Sequence, residues 1–165
     1  DGKSNSINGL NSSNEKVFSV IEEVGYKGQI WVSFNADLFK NLSDSESVNK
    51  GAEMLAYLSK RAGTLDCKIA LYNHGNWFGE PINQIKIIKA LPNEDLGIVY
   101  NFHHAHKQIE AFPEMVTMML PYLWNVNLSG LRKEGPKILT IGEGDYEKEM
   151  IELLLKIKSD QSQTK

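Results

Sequence analysis

At 165 residues and 18.6 kDa, with 41% hydrophobic and 24% charged residues, the chain has room for one domain with a single core and the composition of an ordinary globular protein. A net charge of −3 and a pI near 5.8 argue against a surface built to neutralise phosphates, so nucleic acid is not expected as the main ligand. No apolar run approaches the ~20 residues that span a bilayer, and the first residues lack the basic and apolar regions of a signal peptide. The expectation is a soluble protein with no membrane partner, whose compartment, cytoplasmic or periplasmic, stays open. Cys67 is the single cysteine, which excludes an internal disulfide and a thiolate cluster and suits a small apolar side chain on a buried strand.

Residues 1 to 14, rich in Ser, Asn and Gly, bury too little to offset the entropy of ordering and are expected to form a loose tail. From Glu15 the spacing of Val17, Val20, Ile21 and Val24 predicts a helix that stops at Gly25. Gln29 to Phe34, dense in β-branched and aromatic residues, reads as a buried strand. Ser43 with Glu46 has the spacing of a capping box, and Ala52, Leu55, Leu58 and Ala62 give the helix behind it an apolar stripe ending at Gly63.

A second strand is expected over Cys67 to Tyr72, then a helix opened by Pro81, carrying Ile82, Ile85, Ile88 and Leu91 and closed by Pro92. Leu96 to Tyr100 makes a third strand. Ile109, Phe112, Val116 and Met119 mark the next helix, disturbed or split by Pro113 and stopped before Pro121. Leu123 to Leu128 is the fourth strand, with Asn125 and Asn127 on one side of it. Asp145 is expected to cap a last helix bearing Met150, Ile151, Leu154 and Leu155, with a polar tail from 159 to 165.

The domain thus spans residues 15–158, an α/β unit of about four parallel strands alternating with helices. A doubly wound sheet and a barrel both fit this order. Neither a G-x-G-x-x-G nor a Walker A sequence occurs, which favours the barrel. Since about eight strands close such a barrel, this would be a partial (β/α)8 TIM barrel. Its bare face and open edges would call for the remainder of a longer chain or for self-association.

In either architecture the working face lies at the carboxyl ends of the strands. There the order of elements gathers Tyr72-Asn73-His74, Asn101-Phe102-His103-His104, Asn127 and Ile141-Gly142-Glu143-Gly144-Asp145. His74 and His104 directly follow strands and are the candidate general acid and base, with His103 as neighbour. His106, a residue or two into a helix, reads as a hydrogen-bonded surface histidine. Asn73, Asn101 and Asn127 can bind hydroxyl groups through both ends of the amide, against the plainer reading that they satisfy turn backbone. Trp77 offers a face for a sugar ring, although core packing explains it as well. Glu143 completes the candidate substrate-binding set.

The stretches KIALYNHGNWFGEP, LGIVYNFHHAH, LPYLWNVNLSG and ILTIGEGDYE, in this order, resemble the xylose isomerase-like TIM barrel superfamily of sugar-phosphate isomerases and epimerases and type IV endonucleases. The likeness runs from about Gln29 to Lys158 and implies the C-terminal half of such a barrel. It implies a carbohydrate-derived small molecule as substrate, isomerised or epimerised by proton transfer beside a carbonyl. In that superfamily divalent-metal ligands, for Mn²⁺ or Mg²⁺, stand at the ends of late strands. Here Tyr72 occupies the place of a Glu, Asn101 of an Asp and Asn127 of a His, while His104 is retained and the final strand with its Glu is expected to be absent, the chain ending in LLKIKSDQSQTK. No metal ligand is therefore assigned, the cofactor stays unknown, and a non-catalytic sugar-binding or scaffold barrel is the alternative.

A hard cation needs anionic oxygen and imidazole ligands, so the purified chain should bind Mn²⁺ or Mg²⁺ weakly or not at all. Tight one-to-one binding in calorimetry would overturn this expectation.

Overall fold

The computed structural model describes residues 10–134, 136 and 138–163. Of the expected N-terminal tail, residues 1–9 lie outside the described part. Residues 12–14 form the first turn of helix α1 (Ser12–Val24), because the Asn11 side chain accepts a hydrogen bond from Asn14 N at 2.8 Å and starts the helix earlier than the apolar spacing implied. Gly25 ends it in the left-handed conformation, φ 64°, where a side chain would be strained.

Strand β1 (Gln29–Val32) is shorter than expected, since Asn35 caps a 3-10 turn over Ala36–Leu38. It is also an edge strand, with Trp31 49% exposed, and not a buried one. Helix α2 (Asp44–Gly63) has the full capping box: Ser43 N donates to Glu46 Oε2 at 2.8 Å and Glu46 N to Ser43 Oγ at 3.3 Å. Strand β2 (Lys68–Tyr72) follows buried Cys67. A short helix α3 (Asn76–Gly79) leads into α4 (Pro81–Ala90), whose first residue is Pro81.

Strand β3 (Leu96–Asn101) is buried throughout. Helix α5 (Phe112–Met119) is not split by Pro113; the proline falls in its first turn, where a missing N–H costs nothing, and Ile109 lies in the turn before it. Strand β4 is Leu123–Asn127, and helix α6 (Glu147–Gln163) runs past Lys158 into the stretch expected as tail. Asp145 does not cap α6: its carboxylate takes Nε of Arg132 at 3.1 Å. Leu155 is not on the core face either, being 63% exposed, whereas Met150 and Leu154 are buried. Among the described residues no helix is long and apolar enough to cross a membrane.

The four strands pair in parallel in the order β1-β2-β3-β4. The period of two then sorts their side chains into two faces. Ile69, Leu71, Leu96, Ile98 and Tyr100 join the core formed with Leu55 of α2, Ile85 and Ile87 of α4, and Val116 and Met119 of α5. Residues of the other parity, Gln29, Trp31, Lys68, Ala70, Tyr72, Gly97, Val99 and Asn101, face away from the helices. A register shift between Ile98 and Val99 leaves Trp124 as the extra residue on β4, and its ring lies flat on Gly97. The sheet curls far enough that the Asn125 amide on one edge strand donates to Gln29 Oε1 on the other.

Helices on one face only, with a concave opposite face, make this an arc of a (β/α) barrel and not a doubly wound sheet. The concave face is less bare than strand counting implied. Ala70 and Val99 are fully buried without belonging to the helix-side core, under the flanking aromatic and amide side chains. Both outer edges, on β1 and on β4, lack a strand partner among the described residues.

Gly97 has no room for a side chain, because a Cβ there would sit 2.0 Å from the Trp124 ring. Gly97→Ala should therefore cost about 2 kcal/mol. Combining it with Trp124→Leu should recover part of the loss, and urea unfolding of both variants measures the coupling. Additive losses would show that the ring does not rest on the glycine.

Candidate functional site

The carboxyl ends of β2 and β3 are joined side chain to main chain. Asn73 Oδ1 accepts from Asn101 N at 2.7 Å, and Asn73 Nδ2 donates to Asn101 O at 3.1 Å. Both asparagines are buried. Asn101 Oδ1 accepts from His103 N at 2.9 Å, which starts the 3-10 turn Phe102–His104, while Asn101 Nδ2 donates to Tyr72 Oη. The two strand ends thereby hold one spatial relation, and the histidines are carried on it.

His74 leaves β2 through a tight reversal, with Gly75 and Asn76 both at φ 52°. Gly79 packs so closely on the His74 main chain that a Cβ would approach its carbonyl carbon to 2.8 Å. These constraints aim the His74 ring at β3. Its centroid lies 4.7 Å from that of His104, the planes nearly perpendicular at 89°. Tyr72 lies parallel to His74 at 6.1 Å and edge-on to His104 at 5.5 Å, and Trp31 stacks with it at 6.0 Å. His103 lies 4.6 Å from His104 and 6.5 Å from His106, whose Nδ1 is 2.6 Å from the carbonyl oxygen of Arg132. His103 Nδ1 is buried and has no hydrogen-bond partner among the described residues. His74 is exposed and His104 half-buried, so this corner of the cluster is open to a small molecule.

The structure thus brings His74, His103 and His104 together as the spacing proposed, and adds Tyr72 and Trp31. The substrate-binding candidates divide. Asn73 and Asn101 have both ends of their amides engaged by the chain itself, whereas Asn127 stands exposed at the end of β4 in register with Asn101. Trp77 is turned to Phe39 at 5.1 Å, and its Nε1 donates to Asp44 at the start of α2 at 3.1 Å, which removes it from the histidine cluster. Glu143 is exposed, and its main-chain oxygen is taken by Arg132 at 2.8 Å.

The residues at the metal positions of the resembled superfamily do not fit a hard divalent cation. Asn101 has its oxygen committed to His103 N, and Tyr72 and Asn127 supply neither a carboxylate nor an imidazole. Among the described residues no group of three or more His, Cys, Asp and Glu is placed to hold a metal.

Glu147 is a buried carboxylate outside the residues that the sequence motifs single out. It accepts from Leu131 N at 3.0 Å, Gly142 N at 3.1 Å and Gly144 N at 2.7 Å, tying the loop from β4 to the start of α6. Its signal was in the sequence: a Glu three residues after Gly144, reaching back to a main-chain N–H as in a capping box. Gly144 must be glycine, since a Cβ would come within 2.3 Å of the Leu131 main-chain nitrogen and 2.6 Å of its carbonyl oxygen. Burial by itself pushes the Glu147 carboxyl up, but the N–H groups of Leu131, Glu147 itself, Gly144 and Gly142 together outweigh it and hold it below the usual range.

The fold is similar to that of a solved TIM barrel, described as the crystal structure of a D-tagatose 3-epimerase-like protein, with a TM-score of 0.63 and 20% sequence identity. The match covers 95% of this chain and 65% of that one, so the chain spans under two thirds of the barrel it resembles. At that identity the likeness concerns the fold alone. No protein-family model matches the sequence, and no curated protein matches it.

The Glu147 carboxyl is lowered in the folded state, so its contribution is complete above the unfolded carboxylate value of about 4.3 and is lost as pH falls through the lower folded value. Glu147→Gln, which resembles the protonated acid, should cost about 2 kcal/mol at pH 7. Denaturation curves from pH 7 to 3 should bring wild type and variant together at the acid end. A constant gap over that range would sink the assignment.

Proposed function

We propose that this chain forms part of a sugar isomerase or epimerase-like barrel that moves a proton beside the carbonyl of a carbohydrate-derived substrate. The observation that carries the reading is the perpendicular pair His74 and His104, 4.7 Å apart at the carboxyl ends of β2 and β3. A neutral imidazole takes a proton near pH 7 and its protonated form returns it. The pair stands too close for a substrate carbon to lie between the rings, since each face needs about 3.5 Å of van der Waals clearance. Both histidines therefore act from one side, which favours same-face proton transfer between adjacent carbons, an aldose–ketose isomerisation, over epimerisation by two opposed bases. His103, behind His104, orients it, and Asn127 and the exposed face of Trp31 meet the sugar. The barrel is completed by the remainder of a longer chain or by a second copy.

One observation favours a second reading, a sugar-binding or scaffold barrel without turnover: the amides of Asn73 and Asn101 are spent on the chain itself. A panel of aldoses and ketoses, with and without Mn²⁺ or Mg²⁺, separates the two. The enzyme reading expects conversion of at least one sugar, and a drop of about 10²-fold or more in kcat for His104→Ala. Stabilisation by a sugar in a thermal shift without any conversion would establish the second reading instead.

A further inference from the structure

We infer that Tyr72 is the hydrogen-bond donor that receives the oxyanion formed in this site, at the position where the resembled superfamily uses a metal-bound carboxylate. The inference rests on the proton-transfer reading above and names the group that makes such a transfer feasible without a cation. Removing a proton beside a carbonyl leaves the C–H electron pair to form C=C and moves the carbonyl π pair onto oxygen. The proton goes to the imidazole, the negative charge stays on that oxygen, and no oxidant or reductant is needed. The oxygen needs a positioned donor, and among the described residues no group of three or more His, Cys, Asp and Glu is placed to hold a cation that would otherwise supply one.

The hydrogen bonds decide which way Tyr72 works. Asn101 Oδ1 accepts from His103 N at 2.9 Å, so the amide has one orientation and presents Nδ2 to Tyr72 Oη. An NH₂ group can only donate, so the phenol oxygen accepts there and its own hydrogen must point elsewhere. Among the described residues no acceptor takes it. Receiving a hydrogen bond strengthens a hydroxyl as a donor. The ring is held parallel to His74 and edge-on to His104, both within 6.1 Å, so the O–H belongs to the cluster that carries the imidazoles. A tyrosine O–H in a shielded site is an established way to bind an enolate oxygen.

The test uses two probes of similar shape, glycolohydroxamate, which mimics an enediolate, and neutral glycolamide, titrated calorimetrically with and without EDTA. Wild type should prefer the hydroxamate. Tyr72→Phe keeps the ring and loses the O–H, and should weaken hydroxamate binding by about tenfold or more while changing glycolamide by less than about twofold. Equal losses for both probes would reduce Tyr72 to a structural role, and no loss for either, or hydroxamate binding abolished by EDTA, would overturn the inference while leaving the proton-transfer reading intact. No binding of either probe by wild type would remove that reading and the inference with it. Should Tyr72→Phe not fold, carbon-13 NMR of wild type labelled at tyrosine Cζ serves instead. A Cζ resonance shifted by hydroxamate but not by glycolamide supports the inference, and unchanged tyrosine resonances overturn it.

Discussion

Asn73 reaches across from the end of β2 and closes two hydrogen bonds with the main chain of Asn101 at the end of β3. Both residues are buried, so breaking either bond would strand polar groups away from water at a cost of about 1–3 kcal/mol each. The lock therefore tolerates little relative movement of the two strand ends. Tyr72 and His74 flank one half of it, and His103 and His104 follow the other. The geometry of the imidazole pair is inherited from this main-chain clamp, which also explains why the asparagines at these ends serve the fold before they serve a ligand.

Below the clamp, the sheet divides labour by parity. One set of alternate residues is aliphatic and disappears into α2, α4 and α5. The opposite set mixes rings, amides and small residues, and the small ones matter as much as the large. With Gly97 and Ala70 at the centre, Trp124 can lie flat and the sheet can curl until Gln29 and Asn125 meet. That curl makes the strand ends converge, so side chains on different strands form one site. A flat sheet of the same sequence would fan them apart.

The loop after β4 is organised by a different device. Glu147 gathers three main-chain N–H groups, and Arg132 binds Asp145 and the carbonyl of Glu143. The glycines and acids of this loop are thus spent largely on its own shape. His106 touches the loop through the carbonyl of Arg132, which puts the last member of the histidine row against a structured wall.

The four strands and the five longer helices in alternation, the capping box at Ser43, the stop at Gly25 and the helix opened by Pro81 were legible in the sequence, whereas the short helix α3 and the 3-10 turns were not. Each depends on groups three or four residues apart, or on the backbone preference of a single residue. The clustering of three histidines was legible too, because alternating strands and helices send every strand end to the same side. Tertiary structure decided the rest: that the sheet curls into a barrel arc with one helical face, that Trp77 turns to Asp44 while Trp31 faces the site, and that Asn73 and Asn101 spend their amides on each other's strands. Those outcomes rest on contacts such as Asn73 with Asn101, 28 residues apart, and Gln29 with Asn125, 96 apart. An amide or an indole carries no local mark of which distant partner will satisfy it, and only the packed chain assigns one.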